Sequence, residues 1–145
     1  LGHHQDLLKL SANMRHMAPH SHGLQEFKAV LQGKSYASLD GRIIIDPSAS
    51  QSSSRLQEHV MLLSPEARSD ALPGLQIEAS QVKVSHSAAV SKADPEQIFY
   101  LMSRGLSHEQ AVALMIEGFF DAILKKVGRI SSREKAKKLI HHWLP

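Results

Sequence analysis

The chain has 145 residues, 42% of them hydrophobic and 21% charged, with a formal charge of +3 and no cysteine. That length suits one compact domain or a small domain with an appendage, and the composition excludes disordered, collagen-like and disulfide-stapled proteins. Without a thiol there is no thiolate nucleophile, cysteine zinc cage or all-cysteine iron–sulfur site within the chain, so a metal would have to use the ten histidines, carboxylates or ligands lent by a partner.

Up to about Ser91 the chain reads as short strands. The apolar or alternating runs Phe27 to Leu31, Arg42 to Asp46, Val60 to Leu63, Leu75 to Ala79 and Gln81 to Ser85 are separated by Gly33-Lys34, Asp40-Gly41, Asp46-Pro47 and Pro73-Gly74. Runs of that length bounded by turn residues are strands. The segment Ser48 to Ser54 is a polar stretch without a hydrophobic face, which fits either a long loop or a coil turn whose side chains form a polar ladder. From Ser91 to Asp94 the periodicity changes. Asp94-Pro95-Glu96-Gln97 supplies an N-cap, a proline at the first helical position and a glutamine at the third, and Gly105 supplies a stop. Ser107 to Gln110 repeats the capping box before a helix with Val112, Met115, Phe119 and Ile123 on one face and a stop at Gly128. A third box, Ser131 to Glu134, is expected to open a short basic helix carrying Leu139, Ile140 and Trp143.

Strands followed by helices, without alternation, argue against a doubly wound sheet and leave a sandwich, a barrel or the last rungs of a solenoid open. From Ala122 to Pro145 the charge is +6 and elsewhere −3, so the tail is a separate electrostatic object. Its cations alternate with Ala136, Leu139 and Ile140 as on a solvated or partner-facing helix, and no nucleic acid is expected there. No apolar run approaches the ~18–20 residues that span a bilayer, so no membrane partner is expected. Leu1 in place of a methionine is expected to mark a piece of a longer polypeptide.

The chemistry-bearing motifs are weak. Gln32-Gly33-Lys34-Ser35 has Lys28 where a phosphate-binding loop needs its first glycine, so it reads as a turn. His16, His20 and His22 have chelating spacing, but Pro19 favours extended neighbours and splays them. The adjacent pairs His3-His4 and His141-His142 point different ways on any regular element. No nucleophile elbow, H-E-x-x-H or dinucleotide fingerprint is present, so no enzyme is expected. Two neighbouring apolar residues cannot face one core, and Phe119-Phe120 therefore implies a helix with contacts on two sides.

The stretch Pro73 to Val90, followed by Asp94 to Gly105, resembles the C-terminal region of the SufB/SufD family, the scaffold proteins of the SUF iron–sulfur cluster assembly machinery. The match continues through Ala111 to Phe120 and, upstream, through Gly33-Lys34-Ser35, Asp40 to Ile43, Asp46 to Ala49, Gln51 and Leu62 to Ser64. The resemblance implies the last rungs of a right-handed parallel β-helix over 1–91 and a small helical domain over 92–145. It also implies a non-catalytic scaffold that pairs with a SufB-like subunit, docks a SufC-like ABC-type ATPase and carries a transient iron–sulfur cluster at the partner interface. Location in the cytoplasm or an organelle stroma follows from the same likeness.

His86, in Lys83-Val84-Ser85-His86, falls where the family places a histidine implicated in cluster assembly, and is the candidate metal ligand. Phe99, Tyr100, Arg104, Phe119 and Phe120 are the candidate ATPase contacts. Val84 stands where the family has cysteine, Ser87 where it has glycine, and Ser80 and Gln81 where it has paired aspartates. These departures point to a SufD-type chain, or to a paralogue that keeps only the interactions. From a different class, a polysaccharide-acting or histidine-metal enzyme on a β-helix is the remaining alternative. A solenoid that opens at Leu1 exposes unpaired strand edges, and a homo-oligomer is expected.

Overall fold

The computed structural model describes residues 1–2 and 4–144, so His3 of the His3-His4 pair and Pro145 lie outside the described residues. The chain divides into a strand unit, Gly2–Lys92, and a helical unit, Ala93–Pro145. Strands β1 (Leu7–His16), β2 (His22–Leu31), β3 (Tyr36–Ile45), β4 (Ser53–Leu62), β5 (Arg68–Ala71), β6 (Gly74–Ile77) and β7 (Lys83–Lys92) precede helices α1 (Pro95–Ser103), α2 (His108–Leu124) and α3 (Ile130–Trp143). The protein is thus mainly β with C-terminal helices.

The strands form two sheets. In one, β3 lies between β1 and the short pair β5 and β6; in the other, β4 lies between β2 and β7. Every ladder is parallel, with Leu7 opposite Tyr36, His22 opposite Ser53 and Ser53 opposite Lys83. Each strand therefore pairs with one about thirty residues away, and the chain alternates between sheets as it advances. Neither sheet closes into a barrel.

Strict alternation places the core inside this unit. Ala37, Leu39, Ile43 and Ile45 of β3 and Leu56 and Val60 of β4 are all buried, while their neighbours along each strand are not. Two apolar clusters result. Ala29, Leu31, Ala37, Leu39, Val60 and Ala67 form one, Ile43, Ile45, Ala49 and Leu56 form the other, and Phe27 packs against both. Gly41 sits where they meet: an added Cβ would stand 2.6 Å from Leu56 Cδ1 and 2.9 Å from Phe27 Cε2. Only glycine leaves room for that approach.

The polar segment Ser48 to Ser54 is a stacked coil turn running into β4 rather than a structureless loop. Ser48 Oγ donates to the Met17 carbonyl, Ser52 Oγ is 2.9 Å from Ser21 Oγ, and Gln51 donates to Gln81 Oε1 on the next coil. His20, Gln51 and Gln81, near equivalent corners, share a positive φ of 57°, 58° and 56°. Gly33-Lys34 is a turn between β2 and β3, with Gly33 at φ 68°.

In the helical unit the Asp94 and Ser107 caps form as the spacing predicts. Asp94 Oδ1 accepts from the Glu96 amide at 2.9 Å, and Ser107 and Gln110 exchange the reciprocal pair of a capping box. Gly105 takes up φ 97°. Two expectations need correction. Helix α2 ends at Leu124, before Gly128, and its buried residues are Ala111, Ile116, Phe120 and Leu124, each one position away from the expected stripe. The wider apolar face follows because α2 contacts both α1 and α3. Helix α3 starts at Ile130 with Arg129 as N-cap and no side-chain cap bond, because Ser131 is already inside the helix. Of its expected apolar residues Ile140 is buried, whereas Leu139 is exposed.

Candidate functional site

Two strands bring the candidate histidine to an unusual neighbour. On β4 the inward row runs Ser54, Leu56, Glu58, Val60, and all four are buried. The β4–β7 register sets Leu56 opposite His86 and Glu58 opposite Ala88, so His86 belongs to the matching inward row of β7. Its Nε2 stands 3.5 Å from Glu58 Oε2; the Glu58 side chain has no exposure, the His86 side chain 26%. Sequence reasoning missed Glu58. The period-two signal was present, since a carboxylate between Leu56 and Val60 on an alternating strand must face inward.

Neither Glu58 oxygen makes a hydrogen bond of good geometry, and the His86 contact is at ion-pair distance. Burial pushes the Glu58 carboxyl above the usual carboxylate range and the Asp40 charge adds to this, while His86 and the Gly41 backbone draw it back. A buried carboxylate is costly unless a cation or a donor meets it. Here the nearby side-chain partner among the described residues is an imidazole that reaches solvent, with the Gly41 backbone also close. Carboxylate and imidazole together are an oxygen and a nitrogen donor suited to first-row metals. Among the described residues no group of three histidine or acidic side chains is placed to hold a metal, so the pair supplies two ligands and no more.

The other histidines go elsewhere. His16 is buried, with Nδ1 2.6 Å from Ser21 Oγ and Nε2 3.0 Å from Ser54 Oγ. His22 Nδ1 lies 2.7 Å from Ser53 Oγ, and His20 stands at a turn with positive φ. The three do not converge. His141 Nδ1 is 3.2 Å from Glu117 Oε1.

The candidate partner residues separate into two kinds. On α1, Phe99 and Tyr100 are 74% and 56% exposed, and the Arg104 guanidinium lies 5.2 Å from the Tyr100 ring centroid with Nη2 3.2 Å from the Tyr100 hydroxyl. On α2, Phe120 is buried and Phe119 half-buried, their rings edge to face at 5.4 Å. The expectation that the Phe119-Phe120 pair leaves apolar surface uncovered therefore holds for Phe119 only in part and fails for Phe120, which α2 turns into the helical core.

Comparison with known proteins places the sequence in a family. The SUF system FeS cluster assembly, SufBD core domain matches residues 1–119. An iron–sulfur cluster assembly SufBD family protein of Mycobacterium tuberculosis H37Rv is 35% identical over 124 residues, covering 86% of this chain and 14% of that protein. One from Pyrococcus horikoshii is 32% identical over 127 residues, covering 88% of this chain and 28% of its own length, and one from Mycobacterium leprae is 33% identical over 126 residues, covering 81% and 32%. The chain thus spans 14 to 32% of the length of these relatives. With the match running through β4 and β7, where Glu58 meets His86, the chain belongs to the SufBD family of SUF-system iron–sulfur cluster assembly proteins.

Proposed function

We propose that this chain is a non-catalytic, SufD-type scaffold subunit on which an iron–sulfur cluster is assembled and then passed on. The observation that carries the reading is the buried Glu58 carboxylate, without a hydrogen bond of good geometry, at ion-pair distance from the solvent-reaching His86 imidazole. Iron arriving as cargo would gain an oxygen and a nitrogen ligand there, while the cysteine-free chain leaves thiolates to a SufB-like partner. The cluster is transient on this reading. Family membership supports the wider assignment, as does the coiling of the strands: parallel strands joined by a crossover are almost always right-handed, so the coils are read as rungs of a right-handed β-helix.

The exposed Phe99 and Tyr100, with Arg104, are the proposed seat of a SufC-like ABC-type ATPase. The unpaired outer edge of β7 is the proposed site of pairing with a SufB-like chain or a second copy. The setting is the cytoplasm or an organelle stroma. Reconstitution with iron, sulfide and a purified SufB-like partner tests the proposal: His86→Ala and Glu58→Gln each leave the complex assembled and lower cluster yield, and His108→Ala does not. Equal yield from all three would refute the ligand role. Val84 and Ser87, in place of the family's cysteine and glycine, favour a second reading as an interaction-only paralogue, and that equal yield would support it.

A further inference from the structure

Outside the Glu58–His86 pair, the strand unit carries a second feature, at the starts of β2, β4 and β7. Because Ser54, Leu56 and Glu58 point inward, Ser53 and Arg55 point outward, and the register sets Lys83 beside Ser53 and Ser85 beside Arg55. Leu24 of β2 opposes Arg55 on that face. These residues, together with Val82 and the inward-row Gly23, Ser54 and Val84, line a groove of about 650 Å³. No carboxylate lines it, and both Arg55 and Lys83 are exposed without a hydrogen-bond or ion-pair partner among the described residues. Cross-strand neighbours of opposite charge stabilise a sheet, whereas two cations set diagonally, roughly 7–8 Å apart, repel.

We propose that this groove binds a phosphorylated small molecule, its phosphate held between Arg55 and Lys83. Two cations at that spacing can each make a charge-assisted contact to one oxyanion, and the free hydroxyl of Ser85 stands beside them. Ser53 Oγ is already fixed, 2.7 Å from His22 Nδ1, so one wall is set before a ligand arrives. The volume exceeds what a lone phosphate fills and falls in the range of sites for ligands of drug size. Leu24, 47% exposed, and the outer edges of Val82 and Val84, which pack on the Ile43 cluster, supply an apolar wall for the uncharged part of the ligand. The site shares no side chain with Glu58 or His86 and needs no iron.

Calorimetric titration of the full chain with AMP, pyrophosphate and adenosine tests this. Saturable binding of AMP and pyrophosphate, with none for adenosine at the same concentrations, is expected. The double substitution Arg55→Gln, Lys83→Gln should weaken both by about tenfold or more. Substituting Lys135→Gln and Lys138→Gln on α3 should change neither. All four side chains are exposed, and unchanged thermal melting verifies that the fold is intact. Failure of both AMP and pyrophosphate to saturate, unaltered affinity in the groove variant, or an equal loss in the α3 variant would each overturn the proposal.

Discussion

Replacing Glu58 by glutamine should make the protein more stable above neutral pH and leave it nearly unchanged in acid. The carboxylate has no solvent exposure and no well-formed hydrogen bond. Taking such an ion out of water costs several kcal/mol after relaxation. The His86 imidazole, with Nε2 3.5 Å from Oε2, offsets part of that cost. Burial outweighs that attraction, and the carboxyl titration is raised. Since the folded state holds the Glu58 proton more tightly than the unfolded chain, this contribution is present below the ordinary value of 4.5 and is lost as pH rises through the elevated folded value. Glutamine cannot ionise, so the advantage of Glu58→Gln should grow across that window and be largest at pH 8, each 1 kcal/mol gained raising Tm by roughly 3 °C. His86→Ala should cost about 3–5 kcal/mol by stranding the charge, and the double variant should recover most of it. Urea unfolding at pH 4, 6 and 8 measures all of these. A wild-type stability that rises with pH relative to Glu58→Gln, or strictly additive single-variant effects, would refute the account.

Three further outcomes follow from packing and capping. Gly41→Ala forces a methyl against Leu56 and Phe27 and should lower stability by about 1–3 kcal/mol in the same urea assay. Ser107→Ala should cost about 1 kcal/mol of helix stability, whereas Ser131→Ala, inside α3, should cost less than about 0.5, as read by thermal melting followed by circular dichroism. Phe99→Ser with Tyr100→Ser should weaken binding of a purified SufC-like ATPase at unchanged melting temperature; undiminished binding would remove α1 from that interface.

What sequence alone determines here is local. The caps at Asp94 and Ser107 are written within four residues, because one side-chain oxygen and one nearby amide suffice to start a helix. The runs within β2, β3 and β4 are legible because their apolar residues fill a closed core. Strand β1 was readable but missed: Leu8, Leu10, Ala12 and Met14 alternate with Lys9, Ser11 and Asn13, without the continuous run that marked the others. Strand β5, Arg68–Ala71, has no apolar pattern and exists through its ladder with β3. The third helix misled because Ser131 and Glu134 have capping spacing on a segment whose first turn begins one residue earlier. The site belongs to tertiary structure. His86 was visible through its motif and Glu58 through its strand period, but nothing local joins them. Their contact depends on the β4–β7 register, which the polar turn ladders set coil by coil, and that register alone places an imidazole over a carboxylate the core cannot otherwise satisfy.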